Sequence, residues 1–244
     1  KGQSAYPQFY LHFRDEAKAL AALGEERSFS QLNLAQEFIE ESGFPLVGGL
    51  QFQGTAQFVL PKILVEQDEK GVLVSFFVKD EQSANDTLAD LKTFENLTAL
   101  SALPKQIPLH TEPRANERTW CDWVNQALVE IKSGELTKIV LANETTFHLK
   151  QAINAYDFLA ESEKQNQGCY HFLWAENPYS VFVGSTPERL FAREYNLLLT
   201  EALAGTASVS ESEEETQSQA NWLLNDEKNL KENWLVVEDI SQNL

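Results

Sequence analysis

The chain has 244 residues, 43% hydrophobic and 23% charged, ordinary for a soluble globular protein and long enough for one large domain or two small ones. A net charge of −18 argues against nucleic acid or an anionic membrane surface as the main partner, because the long-range field repels both. No stretch approaches the ~18 uninterrupted apolar residues of a membrane span, and the opening KGQSAYPQFY lacks the apolar core of a signal peptide.

In chain order, residues 15–23 (DEAKALAAL) and 30–42 (SQLNLAQEFIEES) read as helices, the second capped at Ser30 and stopped near Gly43. LVGGLQF, AQFVLPKILVE and GVLVSFFV read as strands of an antiparallel meander. A helix is expected over 86–103, then a Pro-containing connector, PKQIPLHTEP. TWCDWVNQALVEIKSGEL places Trp120, Val124, Ala127, Leu128 and Ile131 on one helical face, with Gly134 as the stop. KIVLANETTFHL reads as a strand and INAYDFLAESEK as a helix; YHFLWAE, YSVFVGS, RLFAR and NLLLTEALAG read as short strands. From Ser210 onward the pattern is helical, with acidic residues at its start where the helix dipole favours them. The fold class is α+β, with sandwich-like antiparallel β-sheets flanked by helices. The two cysteines, Cys121 and Cys169, suggest no cystine scaffold, so a cytoplasmic setting is expected. The chain lacks methionine and stops inside a helical stretch, EDISQNL; residues are therefore expected to be missing at both ends.

Several residues carry possible chemistry, each beside a plainer reading. Ser185-Thr186-Pro187-Glu188 fits a capping box or a turn between strands, and on spacing alone these outweigh a catalytic Glu188. A carboxylate desolvated between apolar strands would suit a general acid. Lys138 opens a strand, where lysine is usually a solvated edge residue; pointing into a cavity, it would suit a general base. In TEALAGT, small residues allow close backbone approach by a ligand, or mark a bulge. In the last helix, Leu223, Leu230, Trp234, Val237 and Ile240 are expected to form the buried stripe. Glu232 lies off that stripe, where pairing with Lys228 is the plain account and Mg²⁺ ligation the sharper one. The four histidines show no zinc spacing.

Taken together, SGFPLVGGLQF, SGELTKIVLAN, FVGSTPERLF, TEALAGT and NDEKNLKENWLVVEDI resemble the chorismate-binding enzyme family in its own order, over most of residues 40–240. Within the family the resemblance is greatest to the menaquinone-pathway isochorismate synthases. It implies a single chorismate-binding catalytic domain over 1–244 and Mg²⁺-dependent interconversion of chorismate and isochorismate. Lys138 matches the general base that activates water for attack at C2, and Glu188 the general acid that protonates the departing C4 hydroxyl. Glu232 matches a Mg²⁺ ligand, and Leu203, Ala204, Gly205 and Thr206 match a substrate-binding loop. The resemblance favours water over ammonia, because anthranilate synthases generally lack the lysine at Lys138 and aminodeoxychorismate synthases carry a nucleophilic lysine where this chain has Ala204. Salicylate synthases are the nearest alternative, and a non-catalytic acidic interaction domain is the alternative from another class. Two departures stand out: Asn233 occupies a position where many relatives have histidine, and the second metal-binding glutamate of the family is not visible.

Overall fold

The segment QFYLH forms a strand, β1 (Gln8–His12), that pairs on both edges inside a six-stranded antiparallel sheet. The computed structural model describes residues 2–14, 16–92 and 98–244. After β1 come β2 (Ala19–Leu23), β3 (Arg27–Phe29), α1 (Leu32–Ser42), β4 (Val47–Leu50), β5 (Ala56–Leu60), β6 (Ile63–Asp68), β7 (Gly71–Phe76) and α2 (Glu81–Lys92). Then follow β8 (His110–Pro113), α3 (Glu117–Ser133), β9 (Thr145–His148), α4 (Ala155–Gln165), β10 (Tyr170–Asn177) and β11 (Ser180–Thr186). The chain continues with β12 (Ala192–Glu194), β13 (Leu197–Leu199), α5 (Glu213–Leu223) and α6 (Glu227–Asn243). It divides into two units: Lys1–Lys105 with Ala152–Pro187, and Gln106–Gln151 with Glu188–Leu244. No helix among the described residues is long and apolar enough to cross a membrane.

In the first unit the large sheet runs β11-β10-β1-β2-β6-β7, and a second sheet runs β3-β5-β4. Side-chain alternation gives the large sheet two apolar faces. Ala22 and Leu64 pack with Val47 and Val59 of the small sheet, joined by Phe9 and Trp174. On the opposite face Leu173 and Ala175 pack with Leu159 of α4, joined by Tyr10, Val181 and Val183. The expected sandwich of antiparallel sheets with flanking helix is therefore present here. Pro61, fully buried, explains why AQFVLPKILVE is not one strand. Proline cannot donate to a ladder, so β5 ends before it and β6 resumes in the other sheet. Gly48 has φ +146°, and a Cβ there would fall 2.0 Å from Gln57 O, so the β4–β5 contact admits no side chain.

Several expectations need correction. Residues 19–23 form β2, not a helix. The Ala/Leu run favours helix, but ladders to β1 and β6 on both sides decide the outcome. Helix α1 starts after Gln31 rather than Ser30 and stops at left-handed Gly43 as expected. Of the helix expected over 86–103, only the part to Lys92 is helical; 98–103 are not, and 93–97 lie outside the described residues. The strands β1 and β3 carried no expectation.

The second unit holds two short antiparallel pairs, β8-β9 across α3 and the β12-β13 hairpin, with α3, α5 and α6. Helix α3 begins at Asn116, whose side chain accepts from Thr119 N, and ends at left-handed Gly134. The stretch expected as a plain connector contains β8, paired with β9. Only Thr145–His148 of KIVLANETTFHL is strand; Glu144 O accepts from Arg114 N at 2.8 Å, and residues 138–143 meet no ladder partner among the described residues.

Candidate active site

Lys138 follows α3 and its stop, in the irregular stretch before β9. Its Nζ lies 3.4 Å from Glu232 Oε1 on α6, with the two side chains 28% and 33% exposed. Lys138 is thus neither a solvated edge residue nor a partnerless cation, and Glu232 pairs with it rather than with Lys228. A recess of about 410 Å³ adjoins this pair, lined by Thr137, Lys138, Val236, Glu238, Asp239 and Gln242.

Helix α6 also holds the TEALAGT segment. Asp226 caps the helix by accepting from Asn229 N at 3.0 Å and from Asn229 Nδ2 at 2.8 Å. Asn233 Nδ2 donates to Ala202 O at 2.9 Å. Gly205 has φ +81°, and a Cβ there would come within 2.9 Å of Asn229 Oδ1 and 3.2 Å of Leu223 Cδ1. Glycine is required twice over, by backbone conformation and by close approach. Asn229, Glu232 and Asn233 are spaced three and four apart and share a helix face. That face is partly covered; of the expected apolar stripe Leu223, Val237 and Ile240 are partly covered too, whereas Leu230 is 50% and Trp234 65% exposed.

Glu188 is the first residue of the second unit, directly after β11 and Pro187. No helix starts there, so the capping-box reading fails. The preceding Ser185 hydroxyl is instead 2.8 Å from His171 Nδ1 and 2.9 Å from Ser162 Oγ, inside the first unit. The turn reading holds: Glu188 leads into the β12–β13 hairpin. Its neighbour Arg189 forms an ion pair with Glu201, both side chains about three-quarters buried. Thr200 Oγ1 donates to Leu190 O at 2.8 Å. These contacts lay residues 189–190 beside 200–201, immediately before the Ala202 carbonyl that Asn233 holds. Glu188 itself is exposed but not without partners. Lys138, Glu232, Glu188 and the loop Leu203-Ala204-Gly205-Thr206 all belong to the second unit.

Sequence reasoning missed Arg189, Glu201 and Asn229. Arg189 and Glu201 bracket a hairpin, but they look like any surface pair until the hairpin closes. Asn229 follows a capping aspartate by three residues and reads as part of the cap.

The wider groove, about 750 Å³, lies in the first unit beside Phe9, Phe52, Phe172, Trp174 and Phe182. Glu176 is its one charged lining residue among those described, so it offers no cation to an anionic ligand. The metal expectation rests on Glu232 alone: no group of three His, Cys, Asp or Glu side chains among the described residues is placed to hold a metal. A single carboxylate is nevertheless compatible with Mg²⁺, which keeps water and substrate oxygens in its shell.

A family model described as "Chorismate binding enzyme" matches residues 50–244. The chain is 95% identical over 244 residues to the isochorismate synthase MenF of Haemophilus influenzae, covering all of this chain and 57% of that protein. It is 49% identical over 247 residues to the MenF of Pasteurella multocida, again covering 57% of the relative. Its fold superimposes with a TM-score of 0.87 on the menaquinone-specific isochorismate synthase MenF of Escherichia coli, at 31% identity over 98% of this chain and 58% of that one. The chain thus spans less than two thirds of the length of each of these relatives.

Proposed function

We propose, on the premise that this chain belongs to the chorismate-binding enzyme family, that it carries base, acid and substrate-loop residues of a cytoplasmic isochorismate synthase of menaquinone biosynthesis. Residues 1–244 act as part of one catalytic domain. In this reading Lys138, in its neutral form, takes a proton from water as the water oxygen attacks ring carbon C2 of chorismate. Electrons shift through the ring, the C4–O bond breaks, and Glu188 protonates the departing hydroxyl. One water enters and one leaves, so the reaction is an isomerisation that runs in both directions. The backbone of Leu203, Ala204, Gly205 and Thr206 approaches the substrate closely because Ala202, Ala204 and Gly205 offer little or no side-chain bulk.

Glu232 would supply one hard oxygen ligand to Mg²⁺, which when bound would offset substrate carboxylate charge. That requirement follows from electrostatics: a dianion approaching a protein of net charge −18 needs local positive charge.

The observation that carries the reading is the convergence on one helix. Lys138 meets Glu232 there, and Ala202 at the head of the substrate loop meets Asn233, the next residue. Such a platform brings a candidate base, a candidate metal ligand and a close-approach backbone into one unit. The test is incubation of the protein as its gene encodes it with chorismate and MgCl₂, products resolved by chromatography. Isochorismate as sole product supports the proposal, and salicylate with pyruvate would assign the chain to the salicylate synthases. No turnover and no chorismate binding would leave only a non-catalytic role. Lys138→Ala and Glu188→Gln should each abolish isochorismate formation; near-normal rates in either would remove that residue from its role.

A further inference from the structure

We infer that Asn233 is a positioning residue for the substrate loop, acting through the Ala202 carbonyl; this rests on the reading of 203–206 as the chorismate-binding segment. Asn233 Nδ2 donates to Ala202 O at 2.9 Å across 31 residues of sequence, and both residues are partly covered. The bond fixes the carbonyl immediately before Leu203, the first residue of the loop. Three residues on, Gly205 rests against Asn229, one helical turn before Asn233 on α6. The loop is therefore clamped to the helix at two points: an amide donor at its head and a close steric contact near its end.

Glu232 stands between the two clamps on the same helix and holds Lys138. A shift of the loop relative to α6 is consequently a shift relative to both charged groups. The essential chemistry at position 233 is a single donated hydrogen. An imidazole N–H can supply it as well as an amide, whereas a carboxylate of the same size as asparagine cannot.

The test compares Asn233→Asp, Asn233→Leu and Asn233→His in the protein as its gene encodes it. Steady-state chorismate kinetics, calorimetric chorismate binding and thermal unfolding are measured for each. Asn233→Asp and Asn233→Leu should raise KM and the chorismate Kd roughly fivefold or more, the size of one net hydrogen bond, with a smaller change in kcat. Asn233→His should return KM to within about twofold of the parent, whatever it does to the melting temperature. A purely structural role predicts the reverse: melting temperatures that fall while KM stays put in the variants that remain folded. That outcome, or an Asn233→His no better than Asn233→Asp, overturns the inference and leaves the proposed activity standing. A parent protein that neither binds nor turns over chorismate overturns both.

Discussion

Replacing Gly205 by alanine separates loop geometry from side-chain chemistry, because it removes no functional group. Gly205 has φ +81°, and a Cβ there would lie 2.9 Å from Asn229 Oδ1, 3.2 Å from Asn229 Cγ and 3.2 Å from Leu223 Cδ1. Left-handed backbone costs an L-residue about 1–2 kcal/mol. Asn229 cannot swing aside freely, because its Nδ2 donates to Asp226 Oδ2 at 2.8 Å; losing that bond adds about 1 kcal/mol. The total, about 2–3 kcal/mol, must appear somewhere. If the loop keeps its path, the fold loses that stability, read as a lower urea midpoint. If the loop moves instead, chorismate binding loses it, a rise in KM of roughly 30- to 150-fold. A second change, Asn229→Ala, removes the contact but also the Asn229–Asp226 bond already counted, so the double variant should lose no more than Gly205→Ala alone, roughly 1 kcal/mol less than the sum of the two single losses. Gly205→Ala with KM within twofold of the parent and an unchanged urea midpoint refutes the reasoning.

Three further outcomes follow from other parts of the molecule. Gly48→Ala combines φ +146° with a Cβ 2.0 Å from Gln57 O, a backbone atom that cannot rotate away; a loss of about 3 kcal/mol or more is expected, and an unchanged urea midpoint would contradict the β4–β5 contact. Arg189→Met and Glu201→Gln should show a coupling of about 1–2 kcal/mol in a double-mutant cycle, between exposed and fully buried pairs, whereas strictly additive losses would dismiss the ion pair. Burial holds the pKa of His171 below the ordinary histidine value, with His12 adding to the effect and Glu163 opposing it. The unfolded chain then binds a proton more readily than the fold, so stability should be full above pH ~6.5 and decline as pH falls from there. His171→Gln should flatten urea midpoints between about pH 7.5 and 5.5, and an unaltered slope would exclude His171 as the cause.

Legibility of the sequence divided along physical lines. Elements whose own residues set their limits were readable. Helix α3 carries a 3.6-residue apolar period and ends at Gly134; α1 ends at Gly43; β10 and β11 alternate as half-buried strands do. Elements decided by partners were not. ALAAL favours helix in isolation and becomes β2 only because β1 and β6 flank it. KIVLAN has the composition of a strand but, among the described residues, no neighbour to complete a ladder. The stripe expected on α6 was read only in part. Val237 and Ile240 are partly covered, but Leu230 and Trp234 are exposed, and the contacts to Lys138 and to residues 202–205 come from the polar Asn229, Glu232 and Asn233. Candidate site residues came from motif order, while the groups that brace them, Arg189, Glu201 and Asn229, gain meaning only from proximity in space.

The place of β1 between β2 and β10 bears on how the chain is made. Its register sets Gln8 opposite Leu23 on one side and opposite Ala175 on the other. The second neighbour therefore leaves the ribosome roughly 150 residues after the first, at 5–20 residues per second a delay of roughly 10–30 s. Throughout that interval β1 presents an unpaired edge with Phe9 and Leu11 beside it, the kind of surface that recruits another nascent chain. Yield of soluble protein during expression should consequently respond to translation speed, growth temperature and chaperone supply more than the stability of the finished sheet suggests.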